Sequence, residues 1–202
     1  MRTVFLTLVI TVVFVIACGV GFIYSGVYNV AAADPHWPVT YRAMEALRNQ
    51  SIRAHAAGIT TPTDLTSEAR LVMGTEHFAA HCAVCHGAPG VPRGDIAEGL
   101  YPHPPDLAQA AQRYTPGELF WILKNGIKMS GMPAWQDHSD DELWSTVGFI
   151  ERLPGMSESD YGKLVVQSMA QGGHHHHHGD EDSATPAMDH SAMPGMKTGQ
   201  WP

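Results

Sequence analysis

Cysteine is scarce in this chain: three among 202 residues, Cys18, Cys82 and Cys85. Only two of them form a closely spaced pair, so the second pair that usually closes a four-ligand structural zinc site is missing. Positive charge is scarce too. Twelve Lys and Arg stand against twenty Asp and Glu, a formal net charge of −8, and no basic cluster occurs, which excludes nucleic acid as a partner. Nowhere does a strand pattern alternate with a helix pattern, so the βαβ setting of a thioredoxin-like cysteine pair is also absent.

What the chain does have is Cys82-Ala83-Val84-Cys85-His86. A CxxCH run is the mark of covalently attached c-type haem: each thiol can form a thioether to a vinyl group, and the next residue offers an imidazole to the iron. On a helix Cys82 and Cys85 stand at i and i+3, on one face, so both sulfurs reach the same porphyrin edge. His86 is then the proximal ligand. A zinc half-site and a redox-active pair are the competing readings, and the two absences above weigh against them.

The length suits about one domain, with both ends outside it. Thr3 to Tyr24 carries no charge and is rich in Val, Ile, Leu and Phe, enough at about 1.5 Å per residue to cross a bilayer core. We read residues 1–24 as a transmembrane anchor. A cleavable signal peptide competes, with Ala31-Ala32-Ala33 as small residues for a peptidase, although the apolar core is long for one. Arg2 precedes the span and no Lys or Arg follows before Arg42, which puts the N-terminus in the cytoplasm and the remainder on the outer, periplasmic side. Cys18 only faintly matches a lipidation box and reads as a small apolar residue of the span.

Residues 25–65 form a juxtamembrane segment, with Asp34-Pro35-His36-Trp37-Pro38 as a turn and a weakly amphipathic helix from Tyr41 to Ala57 stopped by Gly58. Trp37 and Tyr41 suit either the membrane interface or packing on the next domain. From Thr66 or Ser67 as N-cap, a helix should run on into the CxxCH motif, and Gly74 within it suggests a close helix crossing. Thr115 and Glu118 form a capping box with Pro116 in the first turn, for a helix ending near Gly126; Ser139 and Glu142 repeat the device, and Pro154 closes that helix. A last helix covers about Glu158 to Met169. Gly87 to Leu107 resolves into neither helix nor strand. The fold class is all-α with long loops.

With these features the chain resembles the class I cytochrome c family, in particular its single-haem, membrane-anchored bacterial members. The resemblance covers about Thr66 to Pro154 within a domain of residues 66–171. It rests on Gly74 and Phe78 ahead of the CxxCH motif, on Pro105-Asp106-Leu107, and on Gly131-Met132-Pro133-Ala134-Trp135. It implies the class I cytochrome c fold around one covalent haem c, Met132 as the distal ligand, and a Pro105 carbonyl that accepts the proximal histidine's Nδ1–H. It also implies that the Gly74 face crosses the last core helix near Trp144 and Val147. Met129 is the local competitor for the distal role. His77, His81, His103 and His138 are lesser candidates, and Trp121, Trp135 and Trp144 suit core or haem packing.

A haem with both axial places filled carries single electrons without binding substrate, whereas catalytic haems generally keep a place open. The expected function is therefore a membrane-tethered carrier, not an enzyme, between a dehydrogenase or cytochrome complex and a terminal oxidase or reductase. A haem peroxidase-like enzyme is the rival. Residues 172–202 change character: His174, His175, His176, His177 and His178 precede Asp180-Glu181-Asp182, then Met188, His190, Met193 and Met196 among small residues. Lacking apolar periodicity, this tail reads as disordered, and its imidazoles and thioethers suit copper. A copper-handling protein with a haem redox domain is the corresponding alternative, and a purification tag the bland one.

Overall fold

A computed structural model describes residues 1–171; the tail residues singled out for copper, His174 to His178, Met188, His190, Met193 and Met196, lie outside the described residues. The helices are α1 (Arg2–Ser25), α2 (Pro38–Ala56), α3 (Glu68–His77), α4 (Ala83–His86), α5 (Asp95–Glu98), α6 (Leu107–Arg113), α7 (Pro116–Asn125), α8 (Asp140–Arg152) and α9 (Glu158–Gln171), with a π-helical turn, Phe78–Cys82, joining α3 to α4. No strand occurs among the described residues, only an isolated bridge between Ala88 and Val91. The all-α expectation therefore holds.

α1 is apolar but for Arg2, three threonines and Ser25, and none of its residues is buried by protein. Its 24 residues span about 36 Å at the usual helical rise, enough for a bilayer core. A signal sequence meets the same description. α2 begins earlier than its pattern suggests, because Pro38 occupies the first helical turn and does not merely end the preceding turn. Ile52 and Ala56 bury its inner face.

The core forms around α8. Ser139 caps it with both halves of a capping box, three acidic residues fill its first turn, and Arg152 sits in its last, all favourable to the helix dipole. Leu143 to Ile150 is buried without a break. Such a helix must satisfy its own hydroxyls, and it does: Ser145 Oγ donates to the Asp141 carbonyl at 2.8 Å and Thr146 Oγ1 to that of Glu142 at 2.9 Å. Phe78 meets Phe149 with ring centroids 4.7 Å apart, and Phe120 stacks on Trp144 at 4.3 Å.

α3 crosses α8 at Gly74. A Cβ there would lie 2.0 Å from the Ser145 carbonyl oxygen and 3.1 Å from Phe149 Cβ, so only glycine permits this approach. The crossing lies where the resemblance put it, with Ser145 and Phe149 as the contacted residues. Thr75, fully buried beside it, donates its hydroxyl to the Leu71 carbonyl at 2.7 Å.

Candidate haem site

The helix into the CxxCH motif is not the uniform α-helix expected. Across Phe78–Cys82 it widens into a π turn, and the Ala83 N–H reaches the Phe78 carbonyl five residues back. Gly74, Phe78 and Cys82 are spaced by four and all buried; in a pure α-helix such residues drift round the axis, and the wide turn takes up the drift. Ser67 starts the whole run, its side chain accepting from the Arg70 N–H.

Cys82 is buried and Cys85 half-buried. Burial, aided by the neighbouring Cys85, pushes the Cys82 thiol up to about 12. A thiol so reluctant to ionise is a poor redox nucleophile, whereas a neutral thioether suits the same environment. His86 Nδ1 lies 2.9 Å from the Pro105 carbonyl oxygen. That carbonyl can only accept, so Nδ1 carries the proton and Nε2 keeps a free lone pair for a metal. Burial lowers the His86 pKa, the Pro105 contact opposes that, and Arg93 adds to it; the net lowering favours the neutral ring that ligation needs.

The loop after α7 presents the two methionines differently. Gly126 ends α7 at φ 65° and packs so closely that a Cβ would lie 2.7 Å from Ala134 N and 2.8 Å from Met132 O. The loop is tied to itself by the Ile127 N–H to the Met132 carbonyl at 3.2 Å, Ser130 Oγ to the Ile127 carbonyl at 2.7 Å, and the Met132 N–H to Ser130 Oγ at 3.2 Å. The Trp135 N–H returns to the Leu123 carbonyl at 3.2 Å. Met132 is half-buried against the core, whereas Met129 has a positive φ of 59° and is 79% exposed. Trp135 Nε1 is buried without a hydrogen-bond partner. An orphaned indole donor beside the Met132 loop fits a ligand that brings its own acceptor, as a haem propionate does.

Three histidines treated separately in the sequence form one cluster. His77 lies 4.7 Å from His81 and 4.7 Å from His138 between ring centroids, and Trp135 packs on all three at 5.2 to 5.9 Å. Burial, reinforced by His138 and His81 and opposed by Glu142, pulls the His77 pKa down to about 4. The i, i+4 spacing of His77 and His81 was the visible signal; the approach of His138 was not. No three His, Cys, Asp or Glu side chains among the described residues are placed to hold a metal ion by themselves. His103 faces Tyr101 at 6.0 Å.

Between the Pro-rich run and α7 the structure adds α6, which the sequence reading missed. Its signal was Asp106, whose carboxylate caps the helix by accepting from the Ala108 N–H at 2.8 Å. The Asp106 cap thus follows directly on the carbonyl that holds His86.

The family model described as cytochrome C oxidase, cbb3-type, subunit III, matches residues 69–150. No curated protein matches the chain. The matched segment runs from α3 to the buried end of α8 and contains Cys82, Cys85, His86, Pro105 and Met132; it indicates a c-type cytochrome domain, consistent with a class I single-haem cytochrome c, which implies covalently bound haem c and electron transfer.

Proposed function

We propose that this protein is a membrane-anchored carrier of single electrons, its haem c joined to Cys82 and Cys85 and ligated by His86 and Met132. The observation that carries the reading is the tied loop that holds Met132 half-buried while Met129 points to solvent, opposite in kind to the fixed His86–Pro105 pair. When bound, the haem supplies one reversible ferric–ferrous step, and a thioether ligand favours the ferrous state. The chain's own residues do the rest: Pro105 fixes the His86 tautomer, the Ser130 and Ile127 bonds hold Met132, and the core around Phe78 and Trp144 keeps water away. If His86 and Met132 both hold the haem iron, no place is left there for peroxide, which favours a carrier over a peroxidase-like enzyme.

In this reading α1 stays attached and places the cytochrome domain on the outer face of the cytoplasmic membrane. The donors and acceptors are a dehydrogenase or cytochrome complex and a terminal oxidase or reductase, and the cbb3-type description of the matching family favours an oxidase complex. N-terminal sequencing of protein taken from native membranes tests the anchor: a start at Met1 or Arg2 supports it, and a start near Asp34 makes the carrier a soluble one. Haem that stays with the chain in acidified organic solvent tests the attachment.

A second role, copper binding by residues 172–202, is supported by the five consecutive histidines and the Met-rich stretch that follows. Removing those residues should abolish most copper binding in competition with a chelator. Equal binding by the shortened chain would end that reading.

A further inference from the structure

Residues 26–37, between α1 and α2, are short of charge and rich in small residues, the composition of a loose tether, yet they are built. Near the end of α1, Phe22 meets Trp37, the N-cap of α2, with ring centroids 6.0 Å apart. Trp37 packs edge-on against Tyr28 at 5.1 Å, and the Tyr28 hydroxyl is 2.8 Å from His36 Nδ1. His36 in turn donates its backbone N–H to the Tyr101 hydroxyl at 3.1 Å, and the two rings meet edge-on at 5.0 Å. Between these contacts Asn29 bonds Asp34, and the Asp34 N–H closes a turn on the Ala31 carbonyl at 3.1 Å.

Tyr101 begins the Tyr101-Pro102-His103-Pro104-Pro105 run whose last carbonyl holds His86. A continuous set of contacts therefore leads from the last turn of the span to the proximal side of the haem site. α2 cannot swing independently of it, because Arg113 pairs with Glu45 at 3.0 Å, the Tyr114 hydroxyl donates to Asn49 at 3.0 Å, and His55 lies against Trp121 at 5.5 Å.

We propose that Tyr28, His36 and Tyr101 form a clasp that fixes the cytochrome domain at one tilt on the bilayer, with Trp37 seated at the lipid headgroups and the proximal His86 side of the haem nearest the membrane. This inference rests on the anchored-carrier reading. Its occupant is the headgroup layer of the bilayer, argued from continuity: Trp37 touches the span three residues before its end, and Val27, Val30 and Val39 beside it are 63%, 86% and 71% exposed. Indole rings favour that layer, with the ring in the acyl boundary and the N–H toward water. A carrier held at one tilt offers one edge of its haem at a constant height, which suits a partner embedded in the same membrane more than one diffusing in solution.

The test uses the full chain, haem-loaded, in oriented multilayers of phosphatidylcholine and phosphatidylglycerol. The ferric haem resonance is recorded as the multilayer is turned in the magnetic field. The wild type should show a strong dependence on angle, and His36→Ala combined with Tyr101→Phe should lose it while the optical spectrum stays unchanged. Should Tyr101→Phe disturb the spectrum, Tyr28→Phe combined with His36→Ala decides, since both lie outside the haem loop and together remove the Tyr28–His36 bond and the His36–Tyr101 ring contact. A wild type without angular dependence, or a double variant that keeps it, overturns the clasp. Loss of the covalent haem spectrum would instead strike the carrier reading, and release of the wild type from the bilayer by alkaline carbonate would strike its anchor.

Discussion

α1 and α8 invert the usual link between apolar composition and burial. α1 is almost wholly apolar over 24 residues and buries none of them against protein; α8 opens with three acidic residues, contains Ser145 and Thr146, and buries eight in succession. Composition tells which solvent a segment tolerates, whereas burial depends on the neighbours that reach it. In the anchored reading the solvent that matches α1 is lipid, where shape matters little and charge matters greatly. For α8 it is other side chains at crystal-like density, where a single methyl is felt.

The sharpest way to break the contrast is to make one small change in both places. Gly74→Ala puts a Cβ against the α8 backbone and should destabilise the haem domain by about 3 kcal/mol, read from urea unfolding followed at the haem absorbance. Gly19→Ala, with nothing within 4 Å of the added atom, should leave unfolding unchanged. Similar stabilities for the two variants would mean that the α3–α8 crossing is not close.

A charge reverses the roles. Val13→Asp at the middle of α1 should cost about 3 kcal/mol of membrane insertion without altering the haem domain. The fraction of haem protein in the membrane pellet measures the first effect and the optical spectrum the second. An unchanged pellet fraction would remove α1 from the membrane.

The smallest effect is one of pH. Because the His77 pKa falls to about 4 in the fold against about 6.5 when exposed, the unfolded chain binds more protons between those values. Stability is therefore unaffected above about pH 6.5, falls as the pH drops through that window, and has lost its full share below about pH 4. His77→Gln should flatten the slope of stability between pH 7 and pH 4.5. Parallel slopes for wild type and variant would show that His77 does not titrate as its burial dictates.

Local signals made much of this legible from the sequence. The capping boxes at Thr115 and Ser139 act within three residues, so they mark α7 and α8 without knowledge of the rest. Gly74 announced a close crossing, and the resemblance supplied Pro105. The features that stayed hidden depend on distant partners or on short elements. The π turn at Phe78–Cys82 differs from an α-helix by one residue per turn, too little for a periodicity to show. α6 has seven residues and begins directly after a run of prolines that reads as loop. The meeting of His77 and His138 joins residues far apart in the chain, and the contacts from Tyr28 to Tyr101 link segments whose compositions predict no order.

The central claim is that Met132, and not Met129, completes the iron coordination opposite His86. Substituting each with alanine in the haem-loaded protein tests it through the weak sulfur-to-ferric-iron charge-transfer band and carbon monoxide binding to the ferrous form. Met132→Ala should lose the band and bind carbon monoxide, while Met129→Ala should behave as wild type. The reverse pattern, or a Met132→Ala protein that keeps the band and excludes carbon monoxide, would contradict the account.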